Sequence, residues 1–128
     1  MDYIDSGILI EGLTSISALI NAIRKGINNR KIYKVYVCED VVQKKKRELS
    51  FLRHASDELK FEIEVISGYD FSAIVQGSTH GGIAALCSER MFYKVEPEKI
   101  PAKCVFALLD GIEDPYNYAY TVRSLYAA

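Results

Sequence analysis

The sequence predicts an α/β protein, a three-layer α/β/α sandwich, on three observations. Over residues 7 to about 95, helix-type and strand-type patterns alternate, the order that places helices against a sheet. Ile83-Ala84-Ala85-Leu86-Cys87 is apolar at every position, as a strand covered on both faces must be. The 128 residues are 49% hydrophobic and 26% charged, which is the balance of an ordinary globular chain and argues against a disordered tail.

The elements follow in order. Ile16, Leu19, Ile20, Ile23 and Ile27 fall on one helical face, with Thr14 or Ser15 as N-cap and Asn28-Asn29 as the stop. Tyr33–Cys38 is β-branched and aromatic, a strand that Glu39-Asp40 turns toward a second helix over 41–59. That helix presents Leu49, Leu52, Ala55 and Leu59 on its apolar side. Phe61–Ile66 alternates with period two, a strand with one face toward water. A short helical piece near 71–75, the tight turn 77–82 and the strand 83–87 complete the domain.

Beyond it, 94–103 is charged and carries Pro97 and Pro101, the composition of a linker. Cys104–Leu109 reads as a doubly buried strand of the parallel-sheet kind, which needs neighbours that one further helix does not supply. Asp114-Pro115 starts that helix, with Asp as N-cap and Pro at the first helical position, and it runs over 116–127.

Charge is unevenly placed. Between Arg24 and Arg53 lie ten basic residues against three acidic ones, a local +7 inside a chain of net charge −1. Such concentration is the footprint of a polyanion binder, with Arg24, Lys25, Arg30, Lys31, Lys44, Lys45, Lys46 and Arg47 as candidate contacts. A solvated helix face is the plain alternative for the run 44–47, because four consecutive helical residues spread around the circumference.

Other signals are weaker. The turn 77–82 lacks the spacing of a phosphate loop and precedes a strand. His80 beside Ser78 has no nucleophile elbow and reads as a turn residue, and His54 as an exposed helix residue. Glu62 and Glu64 read as a solvated strand edge. Cys38, Cys87 and Cys104 lie far apart, which implies buried thiols and no metal site. No apolar run approaches the length of a membrane span, and Met1-Asp2-Tyr3-Ile4-Asp5 lacks the basic start of a secretory signal, so a cytoplasmic location is expected.

The stretch Leu108–Ser124 resembles motif 1 of the SpoU/TrmH family of RNA ribose 2′-O-methyltransferases: a strand, the turn Asp114-Pro115-Tyr116-Asn117, then Arg123-Ser124. Residues 7 to about 95 are similar to that family's ribosomal-protein-like RNA-binding domain, and Thr79-His80-Gly81-Gly82-Ile83-Ala84-Ala85 to its His-Gln-Gly segment. Gly81 departs from the usual Gln, and Ala119 stands where Gly is common.

The resemblance implies an RNA substrate-binding domain over 1–95, a linker over 96–103 and, over 104–128, the start of the methyltransferase (SPOUT, trefoil-knot) domain. It also implies an rRNA or tRNA partner and, in the complete enzyme, a homodimer. There Asn117 and Arg123 place the ribose and its phosphates, and S-adenosylmethionine is the methyl donor. The two further signatures that build the cofactor pocket are missing, so this chain is expected to be inactive alone and to bind no S-adenosylmethionine. Two other readings remain open: a stand-alone ribosomal-type RNA-binding protein without catalysis, and an assembly module whose Tyr116, Tyr118, Tyr120 and Tyr126 make oligomer contacts.

Overall fold

The computed structural model describes residues 7–128; Met1–Asp5, on which the expected location rests, lies outside them. The chain divides into two compact units, through Phe92 and from Tyr93.

The first unit is a mixed α/β body. Its elements are β1 (Ile8–Glu11), α1 (Leu13–Arg24), β2 (Ile32–Cys38), α2 (Lys46–Leu59), β3 (Glu62–Ile66), α3 (Gly68–Ile74) and β4 (Ile83–Cys87). The four strands form one sheet in the order β1-β4-β2-β3, with β2 and β3 parallel and the other two pairings antiparallel. All five residues of β4 are buried, in keeping with its central place.

Strand alternation sends Val35, Val37, Ile83, Ala85 and Cys87 toward α1 and α2, where they meet Ile16, Leu19, Ile20, Leu49, Leu52 and Ala55. A register irregularity between Ile32 and Lys34 adds Ile32 to the same core despite its even number. Cys38 and Ala84 point the other way and pack on Phe71 of α3. Each large apolar side chain fully buried here contributes about 1.5–3 kcal/mol before entropy is charged against it.

Several boundaries differ from expectation. α1 starts at Leu13 with Gly12 (φ +88°) as N-cap, two or three residues earlier than Thr14 or Ser15 would allow. It stops at Arg24 through Gly26 (φ +68°), so Ile27 falls beyond the helix and is 73% exposed. α2 begins at Lys46, not residue 41: a 3-10 turn at Glu39–Val41 intervenes, and Lys44 and Lys45 are not helical. α3 begins earlier, at Gly68, because the Ser67 hydroxyl caps it by accepting the Asp70 N–H. β1 had no counterpart in the sequence reading.

The second unit holds α4 (Pro115–Ala127), and Asp114 caps it as expected, accepting the Tyr116 N–H at 2.8 Å. Cys104–Leu109 corrects the sequence reading: these residues form no strand, and Val105 and Leu108 are each 94% exposed. A strand needs a paired neighbour, and among the described residues this segment has none. Cys104 is exposed rather than buried for the same reason, while Cys38 and Cys87 are buried. Among the described residues no helix is long and apolar enough to cross a membrane.

Candidate functional site

The basic residues singled out in the first unit are divided between the two ends of β2. Its seven residues rise ~3.3 Å each, so the ends lie about 20 Å apart.

At the starting end, Arg24 closes α1 and pairs with Glu58 of α2, Nη2 to Oε2 at 2.7 Å, with its guanidinium also over the Phe51 ring. That bond holds the Glu58 carboxyl below its ordinary value and ties the C-terminal ends of two helices together. Arg24 is therefore committed to the fold. Lys25, Arg30 and Lys31 belong to the loop that leads into β2; Lys31 Nζ lies 5.9 Å from the Tyr33 ring centroid. Among the described residues no ion pair forms at Lys25 or Arg30.

At the finishing end, Lys44–Arg47 lead into α2. Lys45 Nζ donates to the Gly81 carbonyl at 2.6 Å and so serves the turn before β4. The turn is tightly set. Gly82 has φ +78°, and its carbonyl accepts the Cys38 N–H. His80 Nδ1 accepts the Gly82 N–H at 2.9 Å, and its ring meets Phe71 edge-on, the structural role expected of it. Lys44, Lys46 and Arg47 remain exposed, and among the described residues no ion pair holds them. The eight basic candidates thus make two patches, with Arg24 paired to Glu58, Lys45 bonded to Gly81 and Lys31 over the Tyr33 ring.

Two features escaped the sequence reading. Glu11 staples the turn from the β1 side: its carboxylate accepts the N–H groups of Gln76 and Gly77, which lowers its pKa from the ordinary value, with His80 adding a smaller pull. The second is an open groove of about 830 Å³ on the sheet face that α3 only partly covers, lined by Lys34, Tyr36, Lys60, Glu62, Glu64 and Leu86 among others. There Lys34 Nζ stands 2.8 Å from Glu64 and 3.3 Å from Glu62, so its pKa is raised, mainly by Glu64. The two glutamates are salt-bridge partners as well as edge residues. The β2–β3 register, which sets Lys34 opposite Glu62, creates the trio, and only the period-two pattern of β3 hinted at it.

In the second unit, Asn117 occupies the first turn of α4 and Arg123 lies two turns on. Both are exposed; the Asn117 carbonyl accepts the Thr121 hydroxyl, and among the described residues neither the Asn117 carboxamide nor the Arg123 guanidinium has a hydrogen bond or ion pair. Arg123 does not stack on Tyr116 or Tyr120. No protein-family model matches this chain, and no curated protein matches it.

Proposed function

We propose that the chain is the RNA-binding part of an S-adenosylmethionine-dependent RNA 2′-O-ribose methyltransferase of the SpoU type, acting on rRNA or tRNA in the cytoplasm as a homodimer. One observation carries the reading. At the start of α4, Asp114 and Pro115 build the helix N-terminus, while the Asn117 carboxamide and the Arg123 guanidinium make no bond among the described residues. The Asp114 carboxylate already takes the Tyr116 N–H, and the positive end of the helix dipole would favour a further anion beside it, to which Arg123 would add a fork that matches phosphate. The two basic patches of the first unit would receive the RNA backbone on either side of β2.

The residues from Tyr93 on give S-adenosylmethionine no enclosure. From Tyr93 on, none is buried, and the depression lined by Tyr93, Glu96, Pro101 and Phe106 is an open surface of about 470 Å³. Positioning a methyl donor in line with a ribose oxygen requires enclosure, so no catalytic step is assigned to this chain.

The test is Arg123→Ala and Arg123→Lys in an enzyme that carries the remaining motifs. Loss of one preorganised donor lowers kcat by about a hundredfold, with Tm and cofactor affinity barely changed. Normal turnover with a lowered Tm would make Arg123 a packing residue and remove the reading.

A further inference from the structure

The loop between α1 and β2, residues 25–31, reads Lys-Gly-Ile-Asn-Asn-Arg-Lys, with three cations and no acid. Its backbone is held along its length. Gly26 N–H donates to the Ile23 carbonyl and Ile27 N–H to the Ala22 carbonyl, each at 3.0 Å, the paired bonds of a Schellman motif. Asn28 Oδ1 accepts the Arg30 N–H at 2.8 Å. The Asn29 carboxamide grips the Met91 backbone twice, donating to its carbonyl and accepting its N–H. Lys31 is fastened to Ser88 by two bonds of 2.8 Å. The backbone that carries the three cations is therefore fixed.

Arg30 is half-buried on this frame, and its Nε is sealed from solvent with no acceptor, the sole buried side-chain polar atom in that condition among the described residues. Among the described residues no ion pair or ring contact engages its guanidinium. Its neighbour Cys87 offers no counter-charge, since burial pushes that thiol up to about 11. Arg24, Lys34 and Lys99, by contrast, each have a glutamate. A buried N–H without an acceptor destabilises the place where it lies, and the side chain gains by turning onto an oxyanion that takes two N–H bonds at once.

We propose that Arg30, flanked by Lys25 and Lys31, is a phosphate-binding site, and that it is the principal anchor of the two basic patches. A phosphate oxyanion is the ligand; that it belongs to an RNA backbone depends on the function proposed above, whereas the site itself does not. Lys44–Arg47 is the weaker patch, because Lys45 is spent on Gly81 and the others lie on a solvated face.

Inorganic phosphate and an RNA hairpin are the probes, and Arg30→Met, Arg30→Lys and Lys46→Gln the variants. Phosphate shifts the Arg30 Nε–H resonance and the amides of 25–31 in the wild-type protein. In salt titrations with the hairpin, Arg30→Met weakens binding about tenfold or more and reduces the log–log salt slope by about 0.7–0.9, one phosphate's worth. Arg30→Lys keeps the slope and loses part of the affinity, since the charge stays and the fork goes. Lys46→Gln changes affinity less than Arg30→Met. Without ligand, Arg30→Met melts at or above the wild-type temperature, because an unsatisfied buried N–H has been removed.

Steep, salt-dependent RNA binding that Arg30→Met leaves unchanged overturns the site and spares the RNA function. Phosphate shifts at the loop without RNA binding support the site and overturn the RNA function. A lowered Tm with unaltered binding makes Arg30 a packing residue, and silence toward both probes ends both proposals.

Discussion

The unit through Phe92 and the unit from Tyr93 draw on the same kinds of apolar residue and treat them in opposite ways. The first buries Ile16, Ile20, Val35, Val37, Leu52, Phe71 and Ile83 essentially completely. The second buries none: Phe106, Tyr116 and Tyr120 are all more than two-thirds exposed. Apolar content alone does not make a core. Burial requires surfaces to face each other, and in the first unit a four-stranded sheet provides two of them. One helix and an unpaired apolar run provide none.

The sharpest way to break this contrast is a pair of identical substitutions. Leu52→Ala removes a side chain with no exposure from between α2 and the sheet, and the expected loss is about 2–5 kcal/mol. Leu108→Ala, at 94% exposure, stays within about 0.5 kcal/mol. Urea denaturation of both variants decides it; equal losses would mean that Leu108 packs as a core residue in solution.

Glycines sharpen it at smaller amplitude. Gly82 and Gly111 both have positive φ, +78° and +68°. A Cβ on Gly82 would meet the Val41 methyls at 2.7 and 2.9 Å, whereas one on Gly111 meets nothing within 4 Å. Gly111→Ala therefore costs only the left-handed backbone penalty, about 1–2 kcal/mol for whatever local order it supports. Gly82→Ala adds overpacking of about 1–3 kcal/mol to the same penalty. Melting temperatures that fell equally would show that the contact with Val41 relaxes freely.

The smallest effect is electrostatic. The Glu11 carboxyl has a folded-state pKa below the ordinary 4.5, chiefly through the Gln76 and Gly77 N–H groups. A depressed folded value means that its contribution is fully present above the unfolded pKa and is lost as pH falls through the folded one. Melting curves of the wild type should thus steepen their decline below about pH 4.5, and Glu11→Gln should flatten that part of the pH profile. A profile identical in both proteins would remove Glu11 as the staple of the turn before β4.

Local chemistry in the sequence determined a good part of this protein. The 3.6-residue spacing of Ile16, Leu19 and Ile20, and of Leu49, Leu52 and Ala55, identified both buried helix faces. The uniform apolarity of Ile83–Cys87 identified the central strand, and Asp114-Pro115 the start of α4. These signals depend on residues within a turn or two of each other, where periodicity and capping act. Asn117 and Arg123 are singled out by the resemblance of Leu108–Ser124 to a family motif, not by periodicity or capping.

Tertiary structure decided the rest. Ile8–Glu11 is a strand only because β4 pairs with it, and Cys104–Leu109, with the stronger strand pattern, is not one because nothing pairs with it. The uninterrupted helix expected from residue 41 gave way to a 3-10 turn, at a place where Lys45 reaches Gly81 across the sheet end. The +7 segment was legible as charge, yet its division into two patches follows from β2 running between them. That Arg24 is paired and Arg30 is not depends on Glu58, thirty-four residues from one and absent from the other. Strand pairing and ion pairing join residues far apart in the chain, and a pattern read along the sequence carries no information about which distant partner will arrive.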